Sequence, residues 1–160
     1  MRHITKALAI TAVAGLALTA CGRADDTSTS TASDGTAAAA GGFAADSLIG
    51  VAMPQKTSEN WVLAEQLFND DLKAAGFQAD VQFANGGVSE QQNQIQAMVT
   101  KGVKVIVVGA IDGSQLGNQL QAAKDAGITV IAYDRLITNT PNVDYYVAFD
   151  NFKVGVLQGT

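Results

Sequence analysis

Asp134 and Arg135 are the side chains best placed to do chemistry in this chain, because they sit together where a buried strand should end. The preceding run, Ile128-Thr129-Val130-Ile131-Ala132-Tyr133, is short, apolar and β-branched, as a strand covered on both faces of a parallel sheet should be. Open α/β sheets bind ligands in the crevice outside the carboxyl ends of their strands. A carboxylate accepts hydrogen bonds, and a guanidinium offers five donors in a planar fork. Side by side they suit a small polyhydroxylated ligand, whose hydroxyls both donate and accept. Taken alone, the pair serves equally well as a surface ion pair capping a strand.

The elements that must position this pair follow a strand–helix alternation. Leu48-Ile49-Gly50-Val51-Ala52-Met53 reads as the first strand, ended by Pro54. Ser58 is suited to cap the next helix through its hydroxyl, and Trp61, Ala64, Leu67, Phe68, Leu72 and Ala75 make one apolar stripe along it until Gly76. A second strand lies near Ala79 to Phe83, followed by the turn Asn85-Gly86-Gly87. Ser89 with Glu90 to Gln92 opens a second helix that buries Ile95, Met98 and Val99 and ends at Gly102. Val103 to Val108 is the most hydrophobic strand and is expected at the centre of the sheet. A third helix, from about Ser114 to Ala126, carries Leu116, Leu120 and Ala123 and closes on Gly127, before the strand that leads to Asp134. After a loop containing Pro141, Tyr145 to Phe149 forms a fifth strand, and a helical pattern begins at Asn151. This alternation predicts an α/β fold: a doubly wound parallel sheet with right-handed crossovers and helices on both faces.

Several chemistries lack their residues. The first strand is followed by Met53-Pro54-Gln55-Lys56-Thr57-Ser58, not by a Gly-x-Gly-x-x-Gly turn, and there is no Walker loop. The only histidine is His3, near the N-terminus, and the folded part holds neither a Gly-x-Ser-x-Gly elbow nor a cysteine nucleophile. Asp112, Asp134, Asp144 and Asp150 fall near strand ends, but they are dispersed, whereas hard-cation loops place carboxylates at alternate positions. No cofactor and no metal is expected.

The first 46 residues do not read as foldable. Arg2, His3 and Lys6 precede an uncharged apolar stretch from Ala7 to Leu18, too short to span a bilayer as a stable helix, and together they read as a secretory signal over residues 1–21. Leu18-Thr19-Ala20-Cys21 resembles the bacterial lipoprotein signal, in which the cysteine is acylated and becomes the mature N-terminus. The other reading is an ordinary signal peptide with an incidental cysteine. Lipidation at Cys21 would hold the protein at a membrane surface without spanning it. Cys21 is the only cysteine, so no disulfide can form within the chain. Residues 22–46 are mostly Ser, Thr, Ala, Gly and Asp, with Phe43 the sole aromatic, and read as a flexible linker. Residues 47–160 are the folded part, and the chain is expected to be partial, since the last helical pattern has only begun. Loss of Arg2 and Lys6 with the signal takes the formal charge from −5 to −7 and leaves scattered basic residues, which argues against nucleic acid.

Three stretches carry a resemblance. Gln94-Ile95-Gln96-Ala97-Met98-Val99-Thr100-Lys101-Gly102-Val103-Lys104-Val105, Ile131-Ala132-Tyr133-Asp134-Arg135 and Tyr146-Val147-Ala148-Phe149-Asp150-Asn151 resemble the type I periplasmic sugar-binding proteins of ABC importers, nearest the xylose-binding and multiple-sugar-binding group. The resemblance implies the N-terminal lobe of a two-lobe, hinged periplasmic-binding-protein-like I fold, here truncated. It implies that Asp134 and Arg135 hydrogen-bond the hydroxyls of a monosaccharide, a pentose or hexose, and that Trp61 lies against the sugar's C–H face. Trp61 can also be read as merely beginning its helix's buried stripe. Relatives of this group carry Arg before that Trp, where this chain has Asn60; a neutral hydrogen bond contributes about 0.5–1.5 kcal/mol against about 1.5–3 for a charge-assisted one, so weaker affinity or a different sugar is expected. Lys56 and Asp112 are weaker site candidates on loops over the cleft, with solvated positions the alternative.

The resemblance further implies an exported, monomeric, non-enzymatic binding protein whose closed form docks on ABC transporter permease subunits. Two rivals stand beside that reading. The same fold serves as a sugar-sensing module for chemotaxis or two-component signalling, and an exported Rossmann-like enzyme is the more remote alternative.

Overall fold

The structure, a computed structural model, describes residues 42–160. The expected signal peptide, the lipidation site Cys21 and most of the expected linker lie outside the described residues. The elements run β1 (Leu48–Met53), α1 (Glu59–Ala74), β2 (Gln78–Phe83), α2 (Val88–Lys101), β3 (Val105–Val108), α3 (Gly117–Asp125), β4 (Thr129–Tyr133), β5 (Tyr145–Val147) and α4 (Asn151–Gln158). All five strands are parallel, in the order β2-β1-β3-β4-β5. In register, Val51 lies between Val81 and Val107, and Val108 pairs with Ala132. β3 is central and wholly buried, which is why its sequence is four β-branched residues without alternation.

Side chains alternate between the two faces of each strand, and each face has its own core. Ala52, Ile106, Val108, Val130 and Ala132 face α2 and α3, packing with Ile95, Met98, Leu116 and Leu120. Ile49, Val51, Met53, Val105 and Val107 face α1, packing with Trp61, Ala64 and Phe83. Helices therefore cover both faces, as a doubly wound sheet requires. α1, α2 and α3 each end on a glycine with left-handed backbone, Gly76, Gly102 and Gly127. At α2 the Val103 N–H donates to the Met98 carbonyl and the Gly102 N–H to the Val99 carbonyl, so two terminal carbonyls are satisfied where only glycine bends without penalty.

The structure corrects several expectations. Ser58 occupies the N-cap of α1 with extended backbone, but its hydroxyl makes no capping bond; its carbonyl accepts from Trp61 and Val62. Leu67, expected on the buried stripe, is 50% exposed, because α1 leans over β1 and β2 and leaves its other flank open. α3 starts later than Ser114, since Asp112 draws Ser114 and Gln115 into a turn first. β5 stops at Val147 instead of Phe149: β4 turns away after Tyr133, so no partner strand remains for the ladder. The folded part also begins before Ser47. Phe43 packs partly buried against the α1-side core, and the Asp46 N–H donates to the Gly76 carbonyl at 2.8 Å. α4 is exposed along its whole length, and among the described residues no helix is long and apolar enough to cross a membrane.

Candidate sugar-binding rim

Parallel pairing brings the carboxyl ends of all five strands to one rim, together with the first turn of α1 and the loop between β3 and α3. At this rim β4 ends abruptly. The Arg135 N–H donates to the Tyr133 carbonyl at 2.7 Å, closing a γ-turn around Asp134, whose φ is +65°. For a residue with a Cβ such backbone costs about 1–3 kcal/mol and persists only where the surroundings enforce it. Here the Asp134 N–H donates to the Val147 carbonyl at 2.8 Å, and the Tyr146 hydroxyl donates to the Asp134 carbonyl at 3.3 Å. β5 thus holds the turn.

The turn aims two charged groups outward without joining them tightly. Arg135 Nε lies 4.0 Å from Asp134 Oδ2, too far for a bidentate pair. Among the described residues that guanidinium is the carboxylate's nearest cation, so its lone pairs stay available at the rim. Arg135 is itself steered from two sides. Its Nη1 donates to the Ala110 carbonyl at 3.0 Å, and its guanidinium carbon lies 5.5 Å from the centre of the Trp61 ring. The Arg135 side chain as a whole is 45% exposed.

Trp61 is 4% exposed, so the open indole face implied by the resemblance is not what the structure presents. Its ring meets Tyr133 edge-on at 6.2 Å and packs onto Gly109, where an added Cβ would fall 3.2 Å from the indole. The physical reason is across-sheet packing: the missing side chain at 109 lets the indole sink between α1 and the sheet. Trp61 still lines a cavity of about 210 Å³, together with Asn60, Tyr133, Asp134 and Phe149. Asn60, Trp61 and Asp134 therefore share one cavity, and Arg135 adjoins it over the indole.

Lys56 and Asp112 stand apart from that cavity. The Lys56 ammonium pairs with Glu65 at 2.8 Å and lies 4.8 Å above the Phe83 ring. Asp112 accepts from the Ser114 hydroxyl, the Gln115 amide and the Ser114 N–H, and these bonds hold its carboxyl below the usual 3.8. Both charges have local partners. Among the described residues no group of three or more His, Cys, Asp or Glu is placed to hold a metal ion. A larger groove, about 390 Å³, runs along the open flank of α1 between Leu67, Phe68, Leu72 and Tyr133. Its walls are apolar apart from Asp71, so it offers a sugar almost nothing to bond.

Two residues at the rim were not singled out from the sequence. Phe149 is 76% exposed and lines two cavities beside Asp134. Its position at the end of the fifth strand was the available signal. Gln91 is fully buried, and its carboxamide bonds three backbone groups at the ends of β1 and β3. It falls on the apolar stripe with Ile95 and Met98, at i, i+4 and i+7, a spacing that marks a core position.

Comparison with known proteins decides the family. Residues 49–160 match the family model described as periplasmic binding protein domain. The chain belongs to this family. The multiple sugar-binding periplasmic receptor ChvE of Rhizobium radiobacter is 54% identical over 117 residues, which cover 72% of this chain and 33% of the receptor. The D-xylose-binding periplasmic protein of Escherichia coli (strain K12) is 40% identical over 110 residues, 69% of this chain and 33% of that protein. Among solved structures, an ABC transporter solute binding protein from Clostridium phytofermentans with bound β-D-glucose superposes with a TM-score of 0.68 at 46% identity, covering 70% of this chain and 35% of that one. This member of the periplasmic binding protein family thus spans about a third of the length of the relatives it matches.

Proposed function

We propose that this chain supplies one wall of a monosaccharide site in an exported solute-binding protein that serves an ABC importer. The observation that carries the reading is the Asp134 carboxylate, held by a strained turn at the sheet's ligand-binding rim with its lone pairs unclaimed. Asp134 accepts from sugar hydroxyls, the free edge of the Arg135 fork donates to them, and Asn60 adds neutral bonds from the start of α1. Phe149, more exposed than Trp61, offers the C–H face of the sugar an aromatic surface, while Trp61 fixes the guanidinium from behind. Hydrogen-bonding groups and an exposed aromatic ring gathered at one rim suit capture of a ligand.

The sugar-binding names of the relatives support the ligand class. Capture then couples to transport through closure against a second lobe, a population shift driven by contacts that the sugar makes with both walls, and the closed form docks on the permease. Export and tethering rest on the signal pattern and Cys21, with a monomer as the working form. A sensing role is the second reading, favoured by the relative from Rhizobium radiobacter being a receptor by name. Loss of sugar uptake on deleting the gene supports import; intact uptake with lost sugar-induced transcription supports sensing.

The site is tested by Asp134→Gly, which tolerates the left-handed turn and deletes the carboxylate. Titration calorimetry of the full-length protein with D-xylose and D-glucose is expected to show affinity falling roughly 10- to 150-fold, the loss of one charge-assisted hydrogen bond. Unchanged affinity for a sugar that the unaltered protein binds would remove Asp134 from the site.

A further inference from the structure

The strand order reverses between β1 and β3, and at that switch the chain buries a single carboxamide. Gln91, in the first turn of α2, is 0% exposed. Its Nε2 donates to the Gly109 carbonyl at 2.9 Å and lies 3.4 Å from the Ala52 carbonyl, while its Oε1 accepts from the Ile111 N–H at 3.0 Å. The last of these bonds bears on the rim directly. The Ile111 N–H belongs to the same peptide unit as the Ala110 carbonyl, and that carbonyl accepts from Arg135 Nη1 at 3.0 Å. A trans peptide points its N–H and its C=O in opposite directions. One rigid plane is therefore gripped by Gln91 on one edge and by Arg135 on the other.

We infer that Gln91 is a positioning residue for Arg135: by fixing the 110–111 peptide it sets where the guanidinium lies, and so the donor geometry of the sugar site. The inference deepens the proposed sugar reading and rests on it for its functional consequence. Three features beyond simple core satisfaction support it. The carboxamide spans both strands that flank the switch crevice, so it ties the loop to the sheet and not merely to its neighbour. The peptide that it holds is the one protein acceptor of the Arg135 fork among the described residues apart from the loose contact with Asp134. Chained hydrogen bonds also polarise one another, so a carbonyl whose own N–H is bonded is a better acceptor for the cation. A leucine or methionine at 91 would fill the space and satisfy none of this.

Trp61 is the only tryptophan of the chain and lies under the guanidinium, so its emission and its single indole N–H resonance report where Arg135 sits without any sugar present. Gln91→Met, which keeps volume and removes both polar ends, is expected to shift these signals as Arg135→Ala does, and the double variant is expected to add nothing further. Additive shifts, or a Gln91→Met chain with unshifted Trp61 signals and only a lowered urea midpoint, would show a purely structural glutamine and overturn the inference. Should Gln91→Met not fold, amide exchange decides in its place. The Ile111 amide must exchange slowly in both the unaltered chain and Arg135→Ala, and rapid exchange in the unaltered chain overturns the proposal. A final arm titrates D-xylose: Gln91→Met should weaken binding about tenfold where Arg135 is present and not at all on the Arg135→Ala background. Coupled Trp61 signals with no sugar bound by any variant would leave the positioning intact and sink the sugar reading alone.

Discussion

The two faces of the sheet are built from equally apolar strands, yet over β1, β3 and β4 one is closed more tightly than the other, while β5 is open on both, Tyr146 on the α2 and α3 side being 48% exposed. Under α2 and α3, Ile106, Val108, Leu116, Leu120 and Val130 are all at 0% exposure. Under α1, Val105 and Val107 retain 8% and 7%, Tyr133 is half-buried, and Tyr145 and Val147 at the edge reach 64% and 53%. The difference lies in coverage, not in composition: two helices span the first face, whereas one helix leans over β1 and β2 on the second. What this teaches is a division of labour. On the proposed reading the closed face supplies the footing, through Gln91 and the β3–α3 loop, and the candidate site residues lie where that footing meets the open flank.

Cutting equal volume from each side separates the two faces most sharply. Leu120→Ala removes a fully buried side chain from the closed face and is expected to cost about 2–5 kcal/mol in urea unfolding. Leu67→Ala, on the open flank where the side chain is 50% exposed, should stay within about 0.5 kcal/mol. Similar losses at both positions would mean that the two faces are equally consolidated. A smaller effect tests the seam between them. A Cβ at Gly113 would lie 2.3 Å from the Leu136 carbonyl oxygen and 3.0 Å from the Ile137 Cα, both backbone atoms that cannot swing aside. Gly113→Ala should therefore cost about 1–3 kcal/mol and speed exchange of the Thr138 amide, which donates to the Gly113 carbonyl at 3.0 Å. Unaltered exchange at Thr138 would show the loop after β4 to be held from elsewhere.

How far the sequence alone reached divides along the same line. Strand alternation, the central place of β3 and the glycine-terminated helices were all readable, because period and left-handed glycine are local properties. So was the pair at 134 and 135, since a polar pair after an apolar run marks a strand end. The burial of Trp61 stayed open between the helix's buried stripe and an open indole face, because it depends on what stands across the sheet: no side chain at Gly109, and the Tyr133 ring beside it. The left-handed turn at Asp134 was equally hidden, being imposed by Val147 and Tyr146 from a different strand. Lys56 and Asp112, read as weaker candidates with solvated positions the alternative, show the same limit. Their loops were placed at the rim correctly, but each charge is claimed by neighbours whose geometry no spacing discloses.

The smallest expected effect is also the one that tests how the closed face reaches the open edge. Asp144, just before β5, accepts from the Val130 N–H of β4 at 2.8 Å and pairs with Lys124 of α3 at 3.0 Å. The backbone bond from Val130 first, and then Lys124, hold its carboxyl below the usual 3.8. A carboxylate whose folded value is depressed contributes stability that is complete above its unfolded value and is lost as pH falls through the folded one. Asp144→Asn removes that titration while keeping an acceptor for Val130. Its urea midpoint should lie below that of the unaltered chain at neutral pH, and the two curves should converge as pH drops beneath about 3.8. The Asp144 side chain is 28% exposed and that of Lys124 52%, so solvent screening keeps the gap small. A constant separation down to acid pH would mean that Asp144 contributes packing and hydrogen-bond geometry without charge, and the link from α3 to the edge strand would then be steric, not electrostatic.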